Sequence, residues 1–338
     1  MRSPEFWWNH NPNLAAWALR PVGAVFGALV MRRMRRLDGY DCGAPVICVG
    51  NFVAGGAGKT PLALALAELL KLRGERPAFL SRGYGGRNGG SPIRVELGKH
   101  GARLVGDEPL LLARVAPTFV CADRRASAKA AVAAGATAVI MDDGLQNPSL
   151  KKKLTFGVID AETGVGNQLC IPAGPLRAPF QQQLYQVDVV VVLGDRQAQA
   201  GREAAKKSIE MGKPTLFASL KPDPEIAAKL SGRHVLAFAG IGRPGKFFRT
   251  LVDLGAKILA TRDYSDHHVF TDQELRQLAE ESRELDAMLV TTEKDLMRLN
   301  GDPELAALAE HANALPVRLV VEEQDQFRAL VLGALKRN

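Results

Sequence analysis

The residues best suited to chemistry lie in Val46 to Pro61, VICVGNFVAGGAGKTP. An apolar β-branched run, Val46-Ile47-Cys48-Val49, reads as a buried strand. It breaks into Gly55-Gly56-Ala57-Gly58, and Lys59-Thr60-Pro61 then open an Ala/Leu-rich helix. That order suits a phosphate-binding loop. Glycines let backbone N–H groups converge on phosphate oxygens, and a helix N-terminus adds positive potential. The lysine reaches the β/γ-phosphates and the threonine hydroxyl holds Mg²⁺. The first glycine of the common GxxxxGK[ST] pattern is replaced here by Val53, so only the GGxGKT end is intact. The spacing predicts a nucleoside triphosphate site rather than a plain flexible turn.

A metal that shares this site needs an acidic residue at a neighbouring strand end, beside the loop hydroxyl. Asp142-Asp143 follow the apolar run Thr137 to Met141 directly. Adjacent strand residues point to opposite faces, so one aspartate is expected on the metal and the other behind it. A polar DDG turn is the plain alternative. Asp107, in Gly106-Asp107-Glu108-Pro109, is open to two readings: an N-cap, or the group that orients or deprotonates an acceptor hydroxyl. His267 and His268 stand in the loop Asp263 to His268, without other ligands at metal spacing. Arg82, Arg124 and Arg177 follow strand ends or sit in Gly/Pro loops. A planar guanidinium there suits phosphate groups. Thr292-Glu293-Lys294-Asp295 takes the analogous place later in the chain and is expected to contact either nucleotide or the other domain.

The elements that must position these residues alternate short apolar runs with helical patterns. This is the signature of an α/β fold built on a parallel sheet, whose ligand crevice lies at the carboxyl ends of the strands. Strands are predicted at 77–80, 118–122, 137–141, 154–159 and 187–193, with helices at 61–72, 126–134 and 197–212. A second, smaller α/β region is expected from about Thr215, with strands at 235–238, 257–260, 287–291 and 317–321 and a terminal helix at 324–336. The predicted division is an N-terminal helix region 1–37, a nucleotide-binding lobe 38–212 and a second lobe 213–338.

Composition narrows the partners. The 338 residues carry a formal charge of +8, which favours an anionic ligand or surface. Aromatic residues make up only 6% and are not interleaved with the basic ones, which argues against nucleic-acid stacking. The four cysteines show no paired spacing, and Cys48 and Cys121 sit inside strand-like runs, as reduced core thiols would. At the N-terminus, Phe6-Trp7-Trp8 precede the apolar run Leu14 to Met31, and Arg32-Arg33-Met34-Arg35-Arg36 follow it. Arg20-Pro21, Gly23 and Gly27 interrupt that run. The pattern predicts a helix lying in a membrane surface rather than crossing it, with the arginines on anionic headgroups. The alternative is a helix packed on its own domain.

Taken in order, GNFVAGGAGKTP, SRGYGG, GDEP, DRR, DDGLQ, PAGPLR, FAGIGRP, SDHHVF and TTEKD resemble the tetraacyldisaccharide 4′-kinases, the lipid A 4′-kinases of Gram-negative bacteria, from about Pro4 to Asp325. The resemblance implies a monotopic ATP- and Mg²⁺-dependent kinase at the cytoplasmic face of the inner membrane. It would phosphorylate the 4′-hydroxyl of a tetraacylated glucosamine disaccharide 1-phosphate, giving lipid IVA, without an obligatory protein partner. The implied fold is a P-loop kinase-like α/β/α lobe and a smaller α/β lobe joined by a short β linker, with an N-terminal membrane-associated helix. Carried onto matching positions, Gly55 to Pro61 bind ATP, with Lys59 on the phosphates. Thr60, Asp143 and Gln146 lie at the metal, with Asp142 nearby. Asp107 is the general base, paired with His267, and Arg82, Arg124 and Arg177 face the lipid headgroup. The chain departs from the family pattern at Leu145 and Asn147, where an aromatic residue and a histidine are usual, and at Ala178, where a glutamate is usual. Water or another carboxylate would replace that glutamate. The other reading of the loop is a P-loop switch or partitioning ATPase or GTPase. Its usual KGGxGK[ST] lysine is Ala54 here, and no NKxD guanine motif is present.

Overall fold

The computed structural model describes residues 4–9, 11–36, 38–86, 90–300, 305 and 309–336. After a short 3-10 turn at Glu5–Trp7 comes α1, Leu14–Met34. The first lobe then runs β1 (Val46–Asn51), α2 (Lys59–Leu72), β2 (Pro77–Ser81), β3 (Ile93–Arg94), α3 (Ala102–Val105), α4 (Asp107–Ala113), β4 (Thr118–Val120), α5 (Arg124–Ala133) and β5 (Ala138–Asp142). It continues through β6 (Leu154–Asp160), α6 (Phe180–Leu184), β7 (Val189–Leu193), α7 (Gln199–Glu210) and β8 (Thr215–Pro222). The second lobe runs α8 (Pro224–Leu230), β9 (His234–Ala239), α9 (Pro244–Asp253), β10 (Lys257–Asp263), α10 (Asp272–Glu284), β11 (Met288–Thr292), α11 (Glu293–Asn300) and β12 (Ala312–Leu315). The chain then returns as β13 (Val317–Val321) and the terminal helix Gln324–Leu335.

Nine strands form one sheet in the order β13-β8-β7-β6-β1-β5-β2-β4-β3, parallel except for its two edge strands β13 and β3. β1 lies at its centre, between β6 and β5, and every residue of β1 is buried. Helix α2 packs on one face of this sheet through Leu62, Ala63, Leu66, Ala67 and Leu70, the i, i+3/i+4 spacing of a core-facing stripe. The second lobe has its own parallel sheet, β10-β9-β11-β12.

The expected boundary at 213 is wrong. β8 pairs with β7, β13 pairs with β8, and Leu216, Ala218, Val321 and Phe327 share the core of the first lobe. The second lobe is therefore an insertion of about 224–315, with the last strand and helix belonging to the first. The two chain crossings lie side by side, where Asp223 N donates to Pro316 O at 2.9 Å.

Helix α1 buries Ala16, Gly23, Gly27, Met31 and Met34 along one face. A Cβ on Gly23 would stand 2.5 Å from Cys170 O, and one on Gly27 2.7 Å from Cys170 Sγ. The two glycines that interrupt the apolar run thus let the helix lie close against the lobe. The helix is long and apolar enough to cross a membrane by length and composition. One face is nonetheless taken up along its length by the protein. All four cysteines are free and buried, as expected of core thiols.

Candidate active site

The strand β1 delivers the phosphate-binding loop at the centre of the sheet, where its carboxyl end opens to the second lobe. Gly58 takes φ +83° as the residue before α2, and a Cβ there would fall 2.0 Å from Leu193 Cδ2. Only glycine meets both demands. Gly55 and Gly56 are exposed and have open space where a side chain would be, so the loop backbone is accessible. Asn51, at the end of β1, braces the loop by donating to Gly55 O at 2.9 Å. Lys59 and Thr60 begin α2 and are both buried.

Asp142 ends β5 and Asp143 follows it, and the two side chains have different surroundings. Asp143 takes φ +50°, and the Arg177 fork holds both its oxygens, Nη1 to Oδ1 at 2.8 Å and Nη2 to Oδ2 at 3.1 Å. Lys59 Nζ stands 3.8 Å from the same carboxylate. Burial pushes the Asp143 pKa up, yet Lys59 and Arg177 outweigh it and bring it to about 2. Asp142 is fully enclosed, and its Oδ1 has no hydrogen-bond partner. Burial, with the charge of Glu108 adding to it, raises this carboxyl to about 7. A buried carboxylate oxygen without a donor is what a cation site requires. Mg²⁺ is commonly held by one or two carboxylates together with phosphate oxygens. Among the described residues there is no cluster of three or more His, Cys, Asp or Glu that could form a cage without such help. Asp142 and Thr60 fit a Mg²⁺ shared with a nucleotide.

Gln146, expected at the metal, is engaged on both its polar atoms. Its Nε2 donates to Asn51 O at 2.8 Å and Gln183 Oε1 at 2.9 Å, and its Oε1 accepts from Arg177 at 3.0 Å. Its Nε2 is thus spent on bracing the loop, while Oε1 meets Arg177 and keeps one lone pair. Ala178 is buried and adds no polar side chain, while Leu145 fills the space beside Gly50.

The three arginines expected on a headgroup separate. Arg124 is 3% exposed; it donates to Cys121 O at 2.8 Å and to Asp142 O at 3.3 Å, so it forms the wall behind Asp142. Arg177 belongs to Asp143. Only Arg82 is exposed, in the loop whose Tyr84 ring lies 5.8 Å from that of His267.

Asp107 is not an N-cap. It is the first residue of α4, after Gly106 at φ +88°, and its Oδ1 accepts from its neighbour Glu108 N at 2.9 Å. It is nearly buried, and its Oδ2 is met by three donors from the second lobe. His267 Nδ1 lies at 3.2 Å, Arg298 Nε at 2.9 Å and Arg298 Nη2 at 2.5 Å. Burial raises the Asp107 pKa, but the His267 hydrogen bond and the Arg298 and Lys294 charges prevail and hold it far below the usual carboxylate range. The same hydrogen bond raises His267 against the cost of burial. His267 takes φ +58° in a loop pinned by its own N–H on Gly240 O at 3.2 Å. Backbone strain of this kind persists where the surroundings over-determine it, often at functional sites. His268 turns away to Glu274 and stacks on Tyr264.

The segment Thr292 to Asp295 is the domain contact. Lys294 Nζ reaches Glu108 Oε1 at 2.6 Å, and Glu293 meets Arg114 at 3.3 Å. On the other side of the loop, Arg243 of the second lobe forks onto Asp160 at the end of β6, with Lys246 at 3.7 Å. The second lobe thus bridges the phosphate-binding loop on both flanks. Arg298 and Arg243 were not foreseen. The motifs FAGIGRP and TTEKD flagged their surroundings, but spacing carries no sign of a partner 83 or 191 residues away.

The family described as Tetraacyldisaccharide-1-P 4′-kinase matches residues 15–336. A protein from Methylobacterium nodulans named Tetraacyldisaccharide 4′-kinase is 54% identical over 299 residues, covering 88% of each chain. One of the same name from Bradyrhizobium diazoefficiens is 49% identical over 302 residues, covering 89% of this chain and 88% of that protein. Among solved structures, LpxK from Aquifex aeolicus in complex with ATP is 25% identical, with a TM-score of 0.75. It covers 96% of this chain and 100% of that one.

Proposed function

The chain belongs to the tetraacyldisaccharide-1-P 4′-kinase family, and from that premise we propose how its residues perform the reaction. The protein is a lipid kinase of lipid A biosynthesis. It transfers the γ-phosphoryl group of ATP to the 4′-hydroxyl of a tetraacylated glucosamine disaccharide 1-phosphate, with Mg²⁺ as the accompanying ion. One observation carries the residue assignment: Asp107 of one lobe and His267 of the other meet at 3.2 Å beside the phosphate-binding loop.

In this reading the amides of Gly55 to Thr60 and the Lys59 ammonium cradle the phosphates, and Pro61 continues the helix start. Thr60 and Asp142 would hold Mg²⁺, and the ion would supply neutralisation of charge on the transferring phosphoryl. Asp143, fixed by Arg177, keeps Lys59 in position. The transition state of phosphoryl transfer is loose, so the acceptor hydroxyl needs orientation first and loses its proton late. An ionised Asp107 accepts the hydrogen bond from the 4′-hydroxyl, and the proton passes to the Asp107–His267 pair. Arg82, exposed at the same cleft, faces the anionic headgroup of the lipid.

We assign α1 to the cytoplasmic face of the inner membrane, lying in its surface. Its outer face exposes Leu14, Trp17, Val22, Val25 and Leu29, while the inner face is packed on the lobe. Arg32, Arg33, Arg35 and Arg36 follow at the end where anionic headgroups would be met. The three-part division is then α1 and the residues before it, the nucleotide lobe with its returning C-terminal strand and helix, and the inserted second lobe.

The test is labelled ATP with the disaccharide 1-phosphate lipid in detergent, scored for 4′-phosphorylated product. Lys59→Ala is expected to lose roughly 10²–10³ in turnover while unfolding cooperatively like wild type. Wild-type turnover in that variant would sink the assignment.

A further inference from the structure

We propose that Arg298 is a positioning residue for the transfer, saturating Oδ2 of Asp107 from the second lobe so that Oδ1 is the oxygen presented to the acceptor hydroxyl. The inference rests on the reading of Asp107 given above.

Arg298 lies on α11, one turn after Lys294, and the two reach Asp107 and Glu108 of the first lobe. Its side chain is 7% exposed. Every nitrogen of the guanidinium is engaged: Nε and Nη2 on Asp107 Oδ2, and Nη1 on Gly240 O at 2.6 Å and Asp295 Oδ1 at 2.5 Å. Asp295 is itself held by Gly240 N at 3.2 Å and by Thr292 Oγ1 at 2.6 Å. The fork is therefore set by groups of the second lobe and offered, oriented, to the first. Gly240 permits this, because a Cβ there would press Asp295 Oδ1 at 3.1 Å and Arg298 Nη1 at 3.2 Å.

The distribution of donors on Asp107 is unequal. Oδ2 takes both Arg298 contacts and His267, whereas Oδ1 takes one backbone N–H. A carboxylate oxygen has two lone-pair directions, so Oδ1 keeps one for an incoming O–H. The other charged groups about this carboxylate are Glu108 on its own helix, Lys294 and Asp295 on α11, and Asp266 beside His267. None of these bonds Oδ2, and Lys294 is spent on Glu108. A lysine at 298 supplies a point charge without the planar fork, so Arg298→Lys separates charge from orientation. Simple adhesion between lobes does not need this arrangement. A buried ion pair gains little over apolar packing, and the more exposed Arg114–Glu293 pair already joins the same helices.

The experiment compares the full chain as wild type, Arg298→Lys, Arg298→Gln, Asp295→Asn, Arg114→Gln and Asp107→Asn in detergent, with kcat, both KM values, the pH–rate profile and a melting curve for each. Arg298→Lys is expected to lower kcat roughly 10–100-fold, the scale of a misplacement near 1 Å, with KM for ATP held within about threefold. The acidic limb of its profile moves to higher pH, because Asp107 keeps a cation beside it but loses the fork's two hydrogen bonds, which favour its ionised form. Asp295→Asn gives a smaller change of the same sign, and Arg114→Gln matches wild type. Should Arg298→Gln fail to fold, the lysine and asparagine variants still decide. A loss in them that only tracks the folded fraction, with the pH profile unmoved, overturns the proposal while leaving Asp107 in its role. Wild-type turnover in Asp107→Asn overturns both.

Discussion

Replacing Arg177 with alanine distinguishes the two roles that sequence and structure give it. By sequence it faces the lipid headgroup; in the fold its fork grips Asp143 at 2.8 and 3.1 Å and touches Gln146 at 3.0 Å. The lowering of Asp143 from 3.8 to about 2 corresponds to at most ~2.5 kcal/mol at ~1.36 kcal/mol per pKa unit. That figure is net of burial and is shared with Lys59, and Asp143 is 36% exposed, so solvent screening reduces the Arg177 part to about 1 kcal/mol. A double-mutant cycle of Arg177→Ala and Asp143→Asn in urea unfolding should give a coupling of about that size. The effect on turnover is larger. Freed from Arg177, the Asp143 carboxylate can close the 3.8 Å gap to Lys59 and compete with the phosphates for its charge. Arg177→Ala is expected to lower kcat roughly 10–100-fold and raise KM for ATP, with KM for the lipid within about threefold of wild type. A tenfold rise in lipid KM, with kcat and KM for ATP intact, would refute the reasoning and return Arg177 to the headgroup.

Two further outcomes follow from the same geometry. Asp107 has a folded pKa below its unfolded value, so its stabilisation is full above about pH 4 and is lost as pH falls through the lowered value. His267 has a raised folded pKa, so its contribution is full below about pH 6.5 and is lost as pH rises through the raised value. The lobe contact they share is therefore strongest between those limits. Wild-type Tm should fall more than that of His267→Gln between pH 6 and pH 9, and equal falls would contradict the pairing. At the membrane face, Val25→Asp with Leu29→Asp changes only exposed positions, so melting should be preserved. Co-sedimentation with anionic phospholipid vesicles should drop at least about tenfold, each aliphatic side chain contributing ~1.5–3 kcal/mol when buried. Unchanged sedimentation would remove α1 from the membrane.

Some of the site was legible because its encoding is local. The run from Val46 to Thr60 combines a β-branched strand, a glycine turn and a helix start, and each has a short-range cause. The same holds for the apolar strand that ends in Asp142-Asp143. The boundary at 213 failed because β8 and β13 look alike from either lobe. Alternating polarity says that a strand is half-buried, not which sheet takes it. Arg124 and Arg177, expected on the headgroup, have protein partners for a related reason. An arginine after a strand end suits a phosphate and a buried protein acceptor equally, and only the fold showed that the Asp142 carbonyl and the Asp143 carboxylate stand within reach.

By itself the sequence determined the nucleotide loop, the parallel α/β architecture and, through its ordered motifs, the resemblance to a family of lipid kinases. Tertiary structure alone decided which oxygen of which aspartate stays open. Asp142 keeps a free acceptor while Asp143 is locked. Asp107 meets Arg298 across 191 residues and His267 across 160. Local order follows from side-chain size, branching and spacing along the chain. Ion pairs between lobes follow from how two sheets dock, and no short-range pattern records that.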